Sequence, residues 1–284
     1  MTVNKKSLRG TLYVVATPIG NLEDITKRAE RILAEVSVIA CEDTRHTRKL
    51  LSHLNISTPL TSYYRENEQF KTEHLLQKLL GGEDIALVSD AGTPSLSDPG
   101  SVLVDQVRSA GLKVVPVPGP SALTAAISAA GLKESSFFFG GFPPAKRGER
   151  KTFFKNIATL PCPLVFYESP HRIRHSLKDC IEIFGDREAM LFRELTKMHE
   201  QHYQGKISII LEQLASPVKG EIVLIIHAPA VEKEDKPDNL TDLIRWYNDQ
   251  PGMSLKDAVR RISSDLDLPR NKVYQEALSV WKKK

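Results

Sequence analysis

The first half of the chain repeats one pattern four times: a short apolar run, a loop of small or turn-forming residues, and a stretch with helical spacing. The apolar runs occupy residues 12–16, 36–41, 85–88 and 114–117. Strands that alternate with helices favour right-handed crossovers and a mainly parallel sheet. Since every strand then points the same way, all four loops should lie at the carboxyl edge, where open α/β sheets bind ligands.

The second half has a different pattern, in which only one clear helical stretch, residues 172–184, separates two apolar runs. Neighbouring strands with short connections predict a mixed or antiparallel sheet. We therefore predict an α/β protein with two domains, residues 1–119 and 120–228, of which the second is α+β in character. Its predicted strands are residues 137–142, 164–167, 189–192, 207–211 and 222–226.

The end of the chain is predicted to be a small helical module, residues 240–284, after a linker at 229–239. The linker is rich in Pro, Lys and Glu and almost free of large apolar residues. Ser254 and Asp257 form a capping-box-like helix start, and Pro269 opens a second helix. The pair resembles a helix-turn-helix hairpin.

Composition excludes several classes of protein. The three cysteines are widely spaced and form no CxxC pair, which argues against a disulfide framework or a zinc site. The chain has no signal-peptide pattern, and no apolar run approaches the ~20 residues that span a bilayer. We expect a cytoplasmic protein with no membrane partner and no metal. The net charge of +4 would not repel an anionic partner.

The predicted sheet-edge loops point to a ligand other than a dinucleotide. The first loop does not match GxGxxG, and no GxxxxGK[ST] occurs anywhere in the chain. A single Gly or Pro usually marks only a turn, but four such loops on one edge favour a site lined by backbone groups. Such a cleft suits adenine and a methionine tail. The loops contribute Pro18, Ala91, Gly92, Pro94, Gly119 and Ala122.

Six ordered segments resemble the ribosomal RNA small-subunit methyltransferase I family, a branch of the tetrapyrrole-methylase superfamily. They are TPIGNLEDIT (17–26), EDTRHT (42–47), VSDAGTP with SDPG (88–100), PGPSA (118–122), FYESPHR (166–172) and RELTK (193–197). The resemblance extends over residues 12–226 and matches the helical tail more loosely. Superfamily members with tetrapyrrole substrates tend to carry GxGPGD and GGDP where this chain has TPIGN and AGTP, which favours the RNA branch.

The resemblance implies two α/β domains that hold S-adenosylmethionine (SAM) between them, and a homodimer. It also implies 2′-O-methylation of a cytidine in small-subunit (16S) ribosomal RNA, either free or in the 30S subunit. The SAM contacts that it implies are Pro18, Ala91, Gly92, Thr93, Leu96, Ser121, Ala122, Glu168 and Leu195.

Candidate catalytic residues follow two strands at the predicted edge. Glu42, Asp43 and Arg45 come directly after an apolar run, and Arg172 follows the strand that contains Glu168. A general base would contribute about 10²–10⁴-fold to methyl transfer, whereas alignment of the reacting atoms should supply most of the rate. An alternative role for Asp43 is to cap the following helix.

Two basic stretches are candidates for phosphate contacts. A long Gly/Pro-bounded loop at residues 143–155, suited to form a lid, contains Lys146, Arg147, Arg150 and Lys151. The helical module adds Arg260, Arg261, Arg270, Lys272 and residues 282–284. The simpler interpretation of both is a solvated surface.

Two other functions stay open at this stage. A methyltransferase acting on a small tetrapyrrole would need neither basic stretch. A non-catalytic ribosome-binding module with a vestigial cleft would need no intact strand-end loops, and nothing in these loops is degenerate.

Overall fold

The computed structural model describes residues 9–229 and 239–281. The chain forms two compact units, Met1–Pro229 and Ala230–Lys284, which are described separately. Most of the predicted linker, residues 230–238, and the basic residues 282–284 lie outside the described residues.

The first sheet is entirely parallel, in the order β3-β2-β4-β1-β5, which confirms the prediction. The short edge strand β3 was not predicted, because its three residues include a single large apolar side chain. The elements are β1 (Thr11–Val15), α1 (Lys27–Glu35), β2 (Val38–Cys41), α2 (Thr44–His53), β3 (Leu60–Ser62), α3 (Glu68–Leu80), β4 (Ile85–Val88), α4 (Ser101–Ser109), β5 (Lys113–Val117) and α5 (Ala122–Ala129).

Helices cover both faces of this sheet. In β4, Ile85 and Leu87 pack into the core with α3 and α4, whereas Ala86 and Val88 pack into the opposite core with α1. Successive side chains of a strand point to opposite faces, so a strand buried on both sides is apolar throughout. This explains why the runs of the strands β2 and β4 are continuous rather than alternating.

The second sheet is mixed, in the order β6-β7-β10-β8-β9. β6 pairs parallel with β7, and the other neighbours are antiparallel, as predicted. Its elements are β6 (Phe138–Phe139), α6 (Arg147–Ile157), β7 (Leu164–Glu168), α7 (Ile173–Phe184), β8 (Glu188–Arg193), β9 (Gln201–Lys206), α8 (Ile207–Gln213) and β10 (Ile222–Ile226).

Two predictions in this half were wrong. The run 207–211 is the helix α8, in which Ile207 and Ile210 are buried three residues apart. The strand is instead the polar segment β9 immediately before it. The basic stretch predicted as a loop is largely the helix α6, so it does not form the expected lid.

The second unit consists, over its described residues, of three helices around their own apolar core: α9 (Leu240–Asp249), α10 (Leu255–Asp265) and α11 (Arg270–Val280). The Ser254 side chain caps α10 by accepting a hydrogen bond from the Asp257 backbone N–H, as predicted. Helix α9 was not predicted. Among the described residues, no helix has the length and apolar character needed to cross a membrane.

Candidate active site

A cavity of about 400 Å³ lies between the two sheets, at the carboxyl ends of β1, β4 and β5. A volume of this size is within the range of small-molecule sites. The first sheet supplies Ile19, Asp90, Ala91, Gly92, Thr93, Leu96, Asp98, Ser121 and Ala122; the second supplies Phe142, Tyr167, Glu168, Ser169, Pro170, Phe192, Leu195, Glu221, Ile222 and Val223.

Backbone hydrogen bonds hold the loops of the first wall together. Thr17 and Gly92 exchange two N–H to carbonyl bonds, each of 2.9 Å, which join the loop after β1 to the loop after β4. Gly92 has φ +77°, a conformation that favours glycine. The Thr93 hydroxyl donates to the Pro120 carbonyl at 3.3 Å and so joins the loop after β5. These hydrogen bonds join the three loops into one continuous wall.

The second wall is fixed by Tyr167 and Glu168. The Tyr167 hydroxyl accepts a hydrogen bond from the Leu123 backbone N–H at 3.2 Å, and burial raises the pKa of this phenol. Glu168 is buried, and its carboxylate accepts hydrogen bonds from the Ser169 backbone N–H at 2.7 Å and the Ser176 hydroxyl. Arg172 completes the set with an ion pair of 2.8 Å to Glu168. The predicted catalytic group Arg172 is therefore held by its neighbour in the wall.

Several carboxylates gather at one side of the cavity. Burial, followed by the charges of Asp90 and Glu221, raises the pKa of Asp98 to about 6, although a Ser89 hydrogen bond and Arg65 act in the opposite direction. Burial and the charges of Asp90 and Asp98 also raise the pKa of Glu42. Crowded carboxylates favour a cationic ligand, because a nearby positive charge relieves their repulsion.

The structure brings eight of the nine predicted SAM contacts to this one cavity. The ninth, Pro18, is buried directly before Ile19, which lines it. The eight are Ala91, Gly92, Thr93, Leu96, Ser121, Ala122, Glu168 and Leu195. Their role in binding stays a prediction.

Asp43 and Arg45 form a helix cap. The Asp43 carboxylate accepts the Arg45 backbone N–H at 2.8 Å and pairs with its guanidinium at 2.7 Å, which holds the pKa of Asp43 well below its usual range. The Arg45 side chain is 87% exposed. Among the predicted catalytic residues, Glu42 is the one whose pKa is raised by the charge of Asp98, a residue that lines the cavity.

Arg150 was predicted to contact RNA, and this prediction was wrong. Its guanidinium is buried and pairs with Asp179 at 2.6 Å, while it also donates to the carbonyls of Pro144 and Ala145. Three predicted neighbours are partnered too: Arg147 with Asp179 and Glu182, Lys151 with Glu182, and Lys146 with Glu149. The sequence shows a cluster of positive charges but not that the fold brings Asp179 and Glu182 beside them.

Sequence reasoning missed Asp98 as a site residue, although the SDPG turn that contains it was part of the resemblance. The feature that could have identified it is an acidic residue in the loop after β4, whose backbone has positive φ angles at non-glycine residues. Ser95 and Ser97 have φ of 66° and 73°, which non-glycine residues seldom adopt. Over the described residues, no group of His, Cys, Asp and Glu is arranged to hold a metal ion.

Comparison with known proteins identifies the family. The profile of the Tetrapyrrole (Corrin/Porphyrin) Methylases matches residues 11–210. The chain is 46% identical to the ribosomal RNA small subunit methyltransferase I of Vibrio cholerae, with 98% of each chain covered. The protein of that name from Pseudomonas aeruginosa is 43% identical, with 95% of this chain and 97% of the relative covered. This chain belongs to the ribosomal RNA small subunit methyltransferase I family.

Solved structures agree with this fold. Diphthine synthase is similar with a TM-score of 0.59 at 13% identity, covering 77% of this chain and 89% of its own. A uroporphyrin-III C-methyltransferase from Thermus thermophilus in complex with S-adenosylhomocysteine has a TM-score of 0.55 at 20% identity, covering 76% and 96%. At such low identity these likenesses establish the fold alone.

The methyltransferase I family uses SAM, and this chain is a SAM-dependent methyltransferase. The cavity fits this cofactor in size and in chemistry. The backbone-lined loops after β4 and β5 can meet the flat adenine, and the carboxylates Asp90, Asp98 and Glu221 suit the positive sulfonium and ammonium groups.

We expect the affinity for SAM to increase by about 5- to 10-fold between pH 5 and pH 7. Asp98, with a pKa of about 6, is mostly neutral at the lower pH and becomes anionic at the higher one. One added charge contact in a water-accessible site contributes about 1 kcal/mol or slightly more. Isothermal titration across this pH range measures how the SAM affinity changes with pH, and the Asp98→Asn variant should show a smaller change. Equal slopes for the two proteins would contradict the assignment.

Proposed function

We propose that this methyltransferase acts on the 2′-hydroxyl of a cytidine in small-subunit ribosomal RNA, free or within the 30S subunit, in the cytoplasm. The observation that carries the proposal is the cavity built by the strand-end loops. It occurs in a chain whose relatives, matched over nearly their whole length, are named for small-subunit ribosomal RNA.

Positioning is the main contribution that we propose for the protein. SAM supplies an activated methyl group on a positively charged sulfur. The two walls hold the ligand, and an aligned hydroxyl nucleophile gains most of its rate from this orientation. Asp98 lines the cavity and is mostly ionised at neutral pH, so it is suited to accept the hydroxyl proton. Glu42 shares its charge environment and is a second candidate.

The helical unit is proposed to add affinity for RNA. Arg260, Arg261, Arg270 and Lys272 are all exposed, and exposed Arg and Lys side chains bind phosphates in a strongly salt-dependent way. Removal of residues 237–284 should weaken RNA binding by at least about 10-fold and flatten its salt dependence. The affinity for SAM should not change, because residues up to Pro229 form a compact unit of their own. Loss of SAM binding as well would show that the tail is structural.

A homodimer is proposed as the working form. The proposal rests on the resemblance to the methyltransferase I family. Phe70 and Met198, which are 80% and 94% exposed, are large apolar side chains that association would remove from water. Light scattering after size exclusion distinguishes a dimer from a monomer. A monomeric mass at micromolar concentration would refute this part.

The experiment that tests the proposed reaction uses radiolabelled SAM and small ribosomal subunits from cells that lack this protein. Digestion to nucleosides should recover the label in 2′-O-methylcytidine. Label on a base would support the RNA substrate but refute methylation of the ribose. No label, despite measurable SAM binding, would refute the RNA substrate, and tetrapyrroles would be tested next.

A further inference from the structure

The loop after β3, residues 63–67, presents an aromatic ring and a cation side by side at the protein surface. Tyr64 is 41% exposed, and Arg65 is exposed next to it. Among the residues that the structure describes, the Arg65 guanidinium takes part in no ion pair or hydrogen bond, whereas Arg150 is paired with a buried carboxylate. An unpaired cation beside an aromatic ring is the combination with which proteins bind single-stranded nucleic acid.

Hydrogen bonds anchor this loop at both ends. Tyr63 is buried, its backbone N–H donates to the Cys41 carbonyl at 2.7 Å, and its hydroxyl forms a bond of 3.0 Å with α3. Two bonds of 2.9 Å close the turn that follows. The Tyr64 backbone N–H donates to the Asn67 side-chain oxygen, and the Asn67 backbone N–H donates to the Tyr64 carbonyl. A backbone anchored in this way loses little further freedom when a ligand binds its exposed side chains.

The loop lies at the edge of the SAM cavity. On the side of β2, the Asp43 backbone N–H donates to the carboxylate of Asp90, which lines the cavity, at 2.9 Å. On the other side, the Glu68 carboxylate at the start of α3 accepts the Gly100 backbone N–H at 2.8 Å. Gly100 follows the turn that contains Asp98, another lining residue. Burial raises the pKa of Asp98, and the loop's arginine is near enough for its charge to oppose that rise.

An RNA substrate needs contacts at this edge. To bring its 2′-hydroxyl to a methyl group held between two sheets, the target nucleotide must leave its stack. The neighbouring base then has one face uncovered. RNA-binding proteins cover such faces with aromatic side chains, and an Arg or Lys side chain holds the adjoining phosphate. The neighbouring nucleotide would leave the cavity at its edge, where the loop after β3 offers both groups.

We propose that Tyr64 stacks on the base next to the target nucleotide, and that Arg65 binds the phosphate that joins the two nucleotides. This inference deepens the proposed function and depends on its RNA substrate. Every base has a flat face for stacking, so the contact adds affinity and alignment without reading the sequence. The adjacent Glu66 is exposed and repels a phosphate, which provides a control of opposite sign in the same turn.

The test measures the binding of dye-labelled protein to small ribosomal subunits from cells that lack this protein, by fluorescence anisotropy at several salt concentrations. Tyr64→Ala should bind about 5- to 100-fold more weakly, because it loses one stacked base, whereas Tyr64→Phe keeps the ring and should stay within about threefold of wild type. Arg65→Gln should reduce the slope of log affinity against log salt by about 0.7, the value for one single-stranded phosphate contact. Glu66→Gln should bind at least as tightly as wild type.

Isothermal titration with SAM at about pH 8, where Asp98 is ionised, should give the same affinity for all four variants and so report an intact fold. Weaker SAM binding by Arg65→Gln would assign this arginine to the cofactor and overturn the proposal. A changed molar mass of Tyr64→Ala in light scattering would make the loop an interface between copies, which also overturns it.

Failure of this inference can be distinguished from failure of the proposed function. If wild-type protein places no label from SAM on cytidine, the proposed function fails. If wild type does label cytidine, but Tyr64→Ala and Arg65→Gln bind subunits with the affinity and salt dependence of wild type, the loop after β3 does not hold the RNA and this inference alone is refuted.

Discussion

Replacement of Ala91 by phenylalanine should lower the affinity for SAM by about 10- to 100-fold. Ala91 is half-buried in the wall that the loop after β4 contributes to the cavity. The adjacent Gly92 is tied to Thr17 by two backbone hydrogen bonds, so the loop cannot withdraw to make room for a ring. A phenyl ring there would occupy part of the volume that SAM needs, and relieving this overlap should cost about 1–3 kcal/mol of binding. Isothermal titration with SAM measures the loss.

Ala91→Ser is the matched control for this prediction. It adds one small atom at the same position and should leave the affinity within about threefold, since changes this small are readily accommodated beside open space. Thermal unfolding of all three proteins distinguishes a blocked site from a damaged fold. Wild-type affinity in Ala91→Phe would mean that the ligand does not approach the backbone at this loop.

Replacement of Asp179 by alanine should lower the free energy of unfolding by about 3–5 kcal/mol. Asp179 and Arg150 are both nearly inaccessible, and they are joined by bonds of 2.6 and 2.9 Å. Removing the carboxylate leaves a buried guanidinium with only the carbonyls of Pro144 and Ala145 as partners. Urea denaturation monitored by circular dichroism and tyrosine fluorescence measures the change, because both tryptophans, Trp246 and Trp281, belong to the other unit.

Two variants separate the buried charge from the surrounding surface pairs. Arg147→Ala removes a second partner of Asp179 whose side chain is 68% exposed, and exposed pairs contribute only about 0–1 kcal/mol. The double variant Arg150→Met with Asp179→Leu should recover most of the stability, because apolar side chains of similar size can replace a buried pair. If Asp179→Ala unfolds at the wild-type urea concentration, Arg150 does not need its partner.

Four of the five strands of the parallel sheet were predictable, because each is a short apolar run that ends in a distinctive loop; the fifth, β3, has too little apolar signal. The mixed sheet was harder. The run 207–211, in which Ser208 is the single polar residue, is too short for its apolar spacing to separate a strand from a buried helix, and the structure has a helix there. The strand β9 lies at a sheet edge and carries polar side chains with little apolar signal, so it could not be recognised from its own residues.

The candidate site divides in the same way. Loops rich in Pro and Gly indicate where a ligand can approach the backbone. Eight of the nine SAM contacts predicted from these loops and from the resemblance line the cavity. The raised pKa of Asp98 comes first from its burial and then from the charges of Asp90 and Glu221, with Arg65 acting in the opposite direction, and the fold creates this environment. Likewise Arg150 looked like a phosphate-binding residue until the fold placed Asp179 beside it.

The order of strands in the first sheet has a consequence for synthesis. β1 lies between β4 and β5, so Leu12 must pair with both Ile85 and Val114. Translation at about 5–20 residues per second separates the appearance of Leu12 from that of Val114 by roughly 5 to 20 seconds. For roughly the first 4 to 15 seconds, until Ile85 is synthesised, the first strand has neither neighbour, and its apolar side chains are open to chaperones or to other nascent chains. The strand at the centre of the cavity's first wall, β1, is thus synthesised first but gains its two neighbours late.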